Sequence, residues 1–198
     1  MVSVTVVYEA QLLRAALAEL LRSGGVRVVA SMSHWPQGAA AEESAPDVYV
    51  VDAECLEPST AAPAAGSGAV GGSALLALIP AQRPGVLRRA YAAGATGFVD
   101  KNGSKGRLLE AVRRVANGER FIDDTLAPGF LQAAEMPLTR RELSVLSLAA
   151  KGEPVAEIAA TLYLSKGTVR NYMASVIRKV GARNRVDAIR IAQGAGWT

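Results

Sequence analysis

From residue 2 to residue 118, short strand-length apolar runs alternate with helix-length amphipathic runs. That alternation, with short links, limits this part of the chain to a parallel sheet covered by helices on both faces. The strand runs are VSVTVV (2–7), VRVVASM (26–32), DVYVVD (47–52), ALLALIP (74–80) and TGFVD (96–100). The helical runs are 10–25, 84–95 and 104–119. The first carries Leu13, Leu17, Leu20 and Leu21 on one face, and Ser104 can cap the last. A weaker short helix is expected up to Ala45. Residues 53–73, AECLEPSTAAPAAGSGAVGGS, break the pattern and read as a long loop with at most a frayed helix. Sheets of this type bind ligands at the carboxyl ends of their strands, and Asp52 stands at such an end.

A different pattern follows. Residues 119–137 read as a linker with some local helix, and residues 138–198 are helical throughout. Thr139 and Glu142 form a capping box, Gly152 ends that helix, and Pro154 opens a short second one. Ser165 caps KGTVRNYMASVIRKVG, and a last helix runs over 184–193. Charge divides with the pattern. Residues 1–137 carry 12 Lys/Arg and 14 Asp/Glu, a balance of −2, whereas 138–198 carry 10 and 4, a balance of +6. A basic tail on a near-neutral body points to a polyanionic partner for the tail. One cysteine, Cys55, excludes an internal disulfide, and one histidine, His34, leaves no zinc cluster, so no metal site is expected. Apolar runs too short for a membrane span and a start unlike a signal peptide lead to the expectation of a soluble, cytoplasmic protein without a membrane partner.

In the Ser165 helix, Val169, Met173, Val176, Ile177 and Val180 share one face, which must be the core face. Lys166, Arg170, Asn171 and Ala174 fall opposite, near the N-terminus, the end that a recognition helix inserts into the major groove. Arg can bind a guanine edge with two hydrogen bonds and Asn an adenine edge. Ser165 and Thr168 can offer hydroxyls and amides to a phosphate. An amphipathic helix in a plain bundle, with Arg170 and Asn171 merely solvated, is the alternative.

The tail closely resembles the LuxR-type helix-turn-helix domain of NarL/FixJ family response regulators. The matching positions are Leu138-Thr139, Arg141-Glu142, Gly152, Ile158-Ala159, Leu162, Ser165, Thr168-Val169-Arg170, Lys179, Arg185 and Ala188, in order over the whole domain. The family usually has Lys at Arg170 and often His at Tyr172. The resemblance implies double-stranded DNA as partner and adds Thr139, Tyr172 and Lys179 to the DNA-facing set. It also implies a homodimer through the last helix, with Val186, Ile189 and Ala192 or Gln193 facing the second copy.

Residues 2–118 resemble, more weakly, a receiver domain. The implied architecture is a flavodoxin-like five-stranded parallel α/β domain (1–118), a linker (119–137) and a four-helix LuxR-type domain (138–198). Asp52 falls at the phosphoacceptor and Lys101, in AGATGFVDK, at the phosphoryl-pairing lysine. Of the acidic pair that receivers place after the first strand, only Glu9 remains, beside Tyr8. The hydroxyl at the end of the fourth strand is replaced by Ile79 or Pro80. Phosphoryl transfer needs a hard cation held by several carboxylates. With this set no cofactor is expected, magnesium included. Asp52 then reads as a structural partner of Lys101, or as a conventional phosphoacceptor. Regulation is left to protein abundance, to a small ligand among Tyr8, Asp52, Ile79 and Lys101 with loop 53–73 as lid, or to a protein partner. An α/β enzyme using the strand-end pocket is the remaining alternative. It lacks a GxGxxG turn after the first strand, a P-loop, a nucleophile elbow and a histidine beside any nucleophile.

Overall fold

The computed structural model describes residues 1–35, 45–56, 69–70, 72–81, 83–134 and 137–197. The short helix expected before Ala45 and most of the 53–73 loop lie outside them. Two units are present, Met1–Gln82 with Val86–Leu131, and Arg83–Gly85 with Gln132–Thr198. No helix among the described residues is long and apolar enough to cross a membrane.

The first unit is built on β1 (Ser3–Val7), α1 (Gln11–Ser23), β2 (Arg27–Met32), β3 (Val48–Asp52), β4 (Ala69–Val70), β5 (Ser73–Ile79), α2 (Pro84–Ala92), β6 (Gly97–Asp100), α3 (Lys105–Ala116), β7 (Phe121–Ile122) and α4 (Ala127–Ala134). The sheet order is β2-β1-β3-β5-β6-β7, all parallel, with β4 antiparallel on β5. Every residue of β3 is buried, which is why its sequence is a continuous apolar run rather than an alternating one. Edge strand β2 alternates exposed and half-buried residues. The chain winds from β1 outward to β2 and then returns to β3 on the other side. The reversal opens a crevice at the carboxyl ends of β1 and β3, where Tyr8 and Asp52 stand. One core cluster joins Val4, Val6, Val48, Val50 and Leu76 of the sheet to Leu21 of α1 and Leu108 and Val112 of α3.

Three expectations need correction here. The sheet exceeds five strands, because β7 adds a sixth parallel strand and β4 an antiparallel one. The stretch 119–137 is not simply a linker, since it contains β7 and α4. Phe121 is buried, donates its N–H to the Thr96 carbonyl at 3.0 Å, and lies beneath the guanidinium groups of Arg107 and Arg114 at 5.4 and 5.5 Å. A two-residue strand is too short to show any periodicity. On α1, Leu13 is half exposed rather than on the buried face, which is formed by Ala18 and Leu21 with Leu17 and Leu20 packed beside them.

The second unit contains α5 (Arg140–Ala150), α6 (Val155–Thr161), α7 (Lys166–Lys179) and α8 (Arg185–Gly194). Its core joins Val145 and Leu146, Ile158, Val169, Met173 and Val176, and Ala188 and Ala192. Thr139 and Glu142 close the capping box on α5, and Gly152 ends it at φ 89°, a conformation that side chains with a Cβ resist. Ser165 caps α7 by accepting from the Thr168 N–H at 3.0 Å.

Candidate functional site

Two sets of residues merit attention, one in each unit. At the strand ends of the first, Lys101 Nζ lies 2.7 and 2.8 Å from the two carboxylate oxygens of Asp52 and 2.7 Å from Glu54 Oε2. Lys101 follows directly on β6, and Asp52 is the last residue of β3. Glu54 comes from a 3-10 turn, Ala53–Cys55, which starts because Asp52 Oδ1 accepts the Glu54 N–H at 2.9 Å. The Lys101 N–H donates to the Ile79 carbonyl at 2.9 Å, which fixes the lysine backbone against β5. The Tyr8 ring covers the ammonium at 5.5 Å. Burial opposes the Lys101 charge, but the hydrogen bonds and charges of Asp52 and Glu54 outweigh it, and its pKa is raised. The Tyr8 phenol is raised as well, first by burial, against the pull of Lys101 and with the help of Asp52 and Glu54.

Tyr8, Asp52 and Lys101 are therefore brought together as expected, and Glu54 is a member that the sequence reading missed. A second acid two residues after a strand-end aspartate was the available signal. Two other expected members are elsewhere. Ile79 is 1% exposed, its side chain sealed in the core instead of forming a rim. Glu9 is exposed and its carboxylate is not among those that hold Lys101, while its carbonyl and that of Tyr8 accept Arg14 Nη1 at 3.0 and 2.6 Å. The nearby cavity, about 240 Å³, is displaced from the expected one. It adjoins Tyr8 and Lys101 but runs between α1 and the start of α3, over Leu17, Leu20 and Leu108, without Asp52 or Ile79.

Removal of Lys101 leaves a buried and a half-exposed carboxylate facing each other. Lys101→Met should destabilise the first unit by about 2 kcal/mol, less than the ~3–5 kcal/mol of a wholly buried pair because Glu54 reaches solvent. Thermal melts of Lys101→Met, Asp52→Asn and the double variant test this: coupling predicts a double loss smaller than the sum. Simple additivity would refute the clamp.

In the second unit, Lys166, Arg170, Asn171 and Ala174 are all exposed on α7, opposite buried Val169, Met173 and Val176. Among the described residues Lys166, Arg170 and Arg178 have no ion pair, so their charges are free to meet an external anion. Thr168 is half-buried and its hydroxyl shares a 2.8 Å hydrogen bond with Ser165. Tyr172 is also half-buried and packs on the core, which leaves only part of its ring outward. Two expected DNA-facing residues, Thr139 and Lys179, are exposed but also bonded to a buried carboxylate. Glu142 is buried and accepts from the Thr139 N–H (2.7 Å), Thr139 Oγ1 (2.9 Å), Ser175 Oγ (2.7 Å) and Lys179 Nζ (2.8 Å). Ser175 and Lys179 thus tie α7 to Glu142 of α5, and Thr139 caps α5 through the same carboxylate. On α8, Val186 is 75% exposed and Gln193 is exposed, while Ile189 is half-buried. Ala192 is wholly buried and cannot face a second copy.

The family described as "Bacterial regulatory proteins, luxR family" (GerE) matches residues 136–192. The response regulator RamR of Streptomyces coelicolor is 56% identical over 199 residues, covering 100% of this chain and 98% of its own. The transcriptional regulatory protein DesR of Bacillus subtilis is 33% identical over 199 residues, covering 100% and 99%. The chain belongs to the NarL/FixJ family of response regulators. As a NarL/FixJ member it is a DNA-binding transcriptional regulator of two-component type and not an enzyme. The crystal structure of the response regulator ChrA of a heme-sensing two-component system superposes with a TM-score of 0.54 at 25% identity, covering 100% of this chain and 98% of that one. RcsB of Salmonella enterica serovar Typhimurium, solved on promoter P1flhDC, shares the fold with a TM-score of 0.59 at 19% identity, over 98% of both chains.

Proposed function

We propose that this regulator reads double-stranded DNA through α7, as a dimer joined along α8, and that its receiver unit works without phosphoryl transfer. Lys166, Arg170 and Asn171 supply the outward donors, with Ser165 and Thr168 at the helix N-terminus toward a phosphate. Val186, Ile189 and Gln193, three and seven positions apart on α8, give the second copy its contact, and two copies read two half-sites.

The observation that carries the phosphate-independent reading is the Lys101 clamp. Its ammonium neutralises Asp52 on both oxygens and is also held by Glu54. A magnesium ion wants several carboxylate oxygens unshared with a resident cation. Here Asp52 is taken by Lys101, Tyr8 stands at one expected acid position, and among the described residues no three His, Cys, Asp or Glu side chains are grouped to hold a metal. These residues do not fit magnesium. Ile79 offers no hydroxyl to a phosphoryl group.

The test is intact mass after incubation with magnesium and acetyl phosphate. The expected result is an unmodified chain. A phosphoryl adduct that disappears in Asp52→Asn would instead establish a conventional phosphorylation-switched regulator, a reading favoured by relatives that are themselves response regulators.

A further inference from the structure

Among the described residues, Tyr163 is the only one other than glycine with a positive φ, at 55°. It is also the most exposed of their large apolar side chains, at 95%. It occupies the turn between α6 and α7. The turn is tightly fixed: the Tyr163 N–H donates to the Ala160 carbonyl at 3.2 Å and the Leu164 N–H to the Ala159 carbonyl at 2.8 Å. Leu162 and Leu164 on either side pack into the core, which forces the residue between them outward. A bulky residue in the left-handed region is strained, and glycine or asparagine would sit there more easily. Within its own unit an aromatic ring at this place gains no packing in return for the strain. Such outliers tend to be retained where the side chain serves an external contact.

Its position says what that contact is. Ser165, the N-cap of α7, follows two residues later, and exposed Lys166 comes next. A helix roughly 10–12 Å across in a groove about 12 Å wide brings the residues just ahead of its first turn against the phosphate ridge. A tyrosine suits that ridge: the hydroxyl can donate to a phosphate oxygen and the ring can lie on a deoxyribose. We infer that Tyr163 is a DNA-backbone contact that seats the recognition helix, without reading base identity. This rests on the reading of α7 as the recognition helix.

The probe is the duplex that the wild-type full chain selects from a random library, with a scrambled duplex beside it. Tyr163→Phe should weaken binding about threefold, the low end of the net worth of one hydrogen bond, because the phosphate oxygen is otherwise bonded to water. Tyr163→Asn should weaken it roughly tenfold, on both duplexes alike, because a phosphate contact carries no sequence information. The selected consensus should not change. The melting temperature of Tyr163→Asn should equal or exceed that of the wild type, since no packing is lost and asparagine relieves the backbone. Wild-type affinity in Tyr163→Asn overturns the inference. So does a lowered melting temperature, which would mark the ring as structural, or an altered consensus, which would mark it as a base reader. If the wild type selects no sequence and Arg170→Ala changes nothing, the reading of α7 itself has failed, and this inference falls with it.

Discussion

Replacing Glu142 with glutamine lowers the melting temperature of the helical unit by roughly 10–20 °C at neutral pH, from a loss of about 2–3 kcal/mol in a domain of this size. The side chain is buried and its two oxygens serve four donors on three residues, Thr139, Ser175 and Lys179. Glutamine keeps the shape but not the charge: its NH2 either meets Lys179 and the Thr139 N–H donor to donor, or faces Ser175, whose hydroxyl must turn to accept it, and in both cases Lys179 loses its counter-charge. Burial raises the Glu142 pKa, but the hydrogen bonds from Lys179, Thr139 and Ser175 more than offset it, and the carboxyl is lowered to about 2. The sign follows from that depression. The charged network contributes fully above the unfolded value of 4.5 and is lost as pH falls toward about 2. Calorimetry of wild type and Glu142→Gln from pH 7 downward should show a gap that is full at neutral pH and closes across that window. A gap that stays constant down to pH 2 would mean that the variant acts through shape, and equal stabilities at pH 7 would remove the network from the account altogether.

That network also shows what a sequence can and cannot disclose. The capping box was legible, because Thr139 and Glu142 are three residues apart and the pairing is local. The links to Ser175 and Lys179 span 33 and 37 residues, and no local pattern encodes them. For that reason Lys179 read only as a DNA-facing cation, although its ammonium also binds the buried Glu142. The same division holds in the receiver unit. β3 and β5 were visible because strands buried on both faces spell largely continuous apolar runs, and β1, with Ser3 and Thr5 among its valines, because β-branched residues favour strands. β7 was not, since its place depends on pairing with β6 and on Phe121 lying under two arginines. Asp52 and Lys101 were found through their family positions, while Glu54 enters only because a 3-10 turn brings it back to the same ammonium. Ile79 illustrates the opposite error: the last residue of a strand read as a rim, yet its side chain points into the core.

Replacing Arg170 with alanine should cost roughly 10- to 100-fold in affinity for the selected duplex, the worth of one bidentate base contact. Arg170 is exposed on the first turns of α7 and has no ion pair among the described residues, so the folded chain loses little when it is removed. The loss should therefore appear in binding and not in the melt. Its dependence on sequence and salt identifies the contact. A base reader loses affinity on the selected duplex only, and selection with the variant returns a consensus relaxed at one position of each half-site. A phosphate binder loses affinity on every duplex and lowers the slope of log K against log salt by about one charge. Arg170→Lys separates the two further, because a lysine keeps the charge but not the planar fork that matches a guanine edge. It should restore phosphate binding nearly in full and base reading only in part. Undiminished affinity of Arg170→Ala, with an unchanged consensus, would place the recognition surface elsewhere on the helical unit.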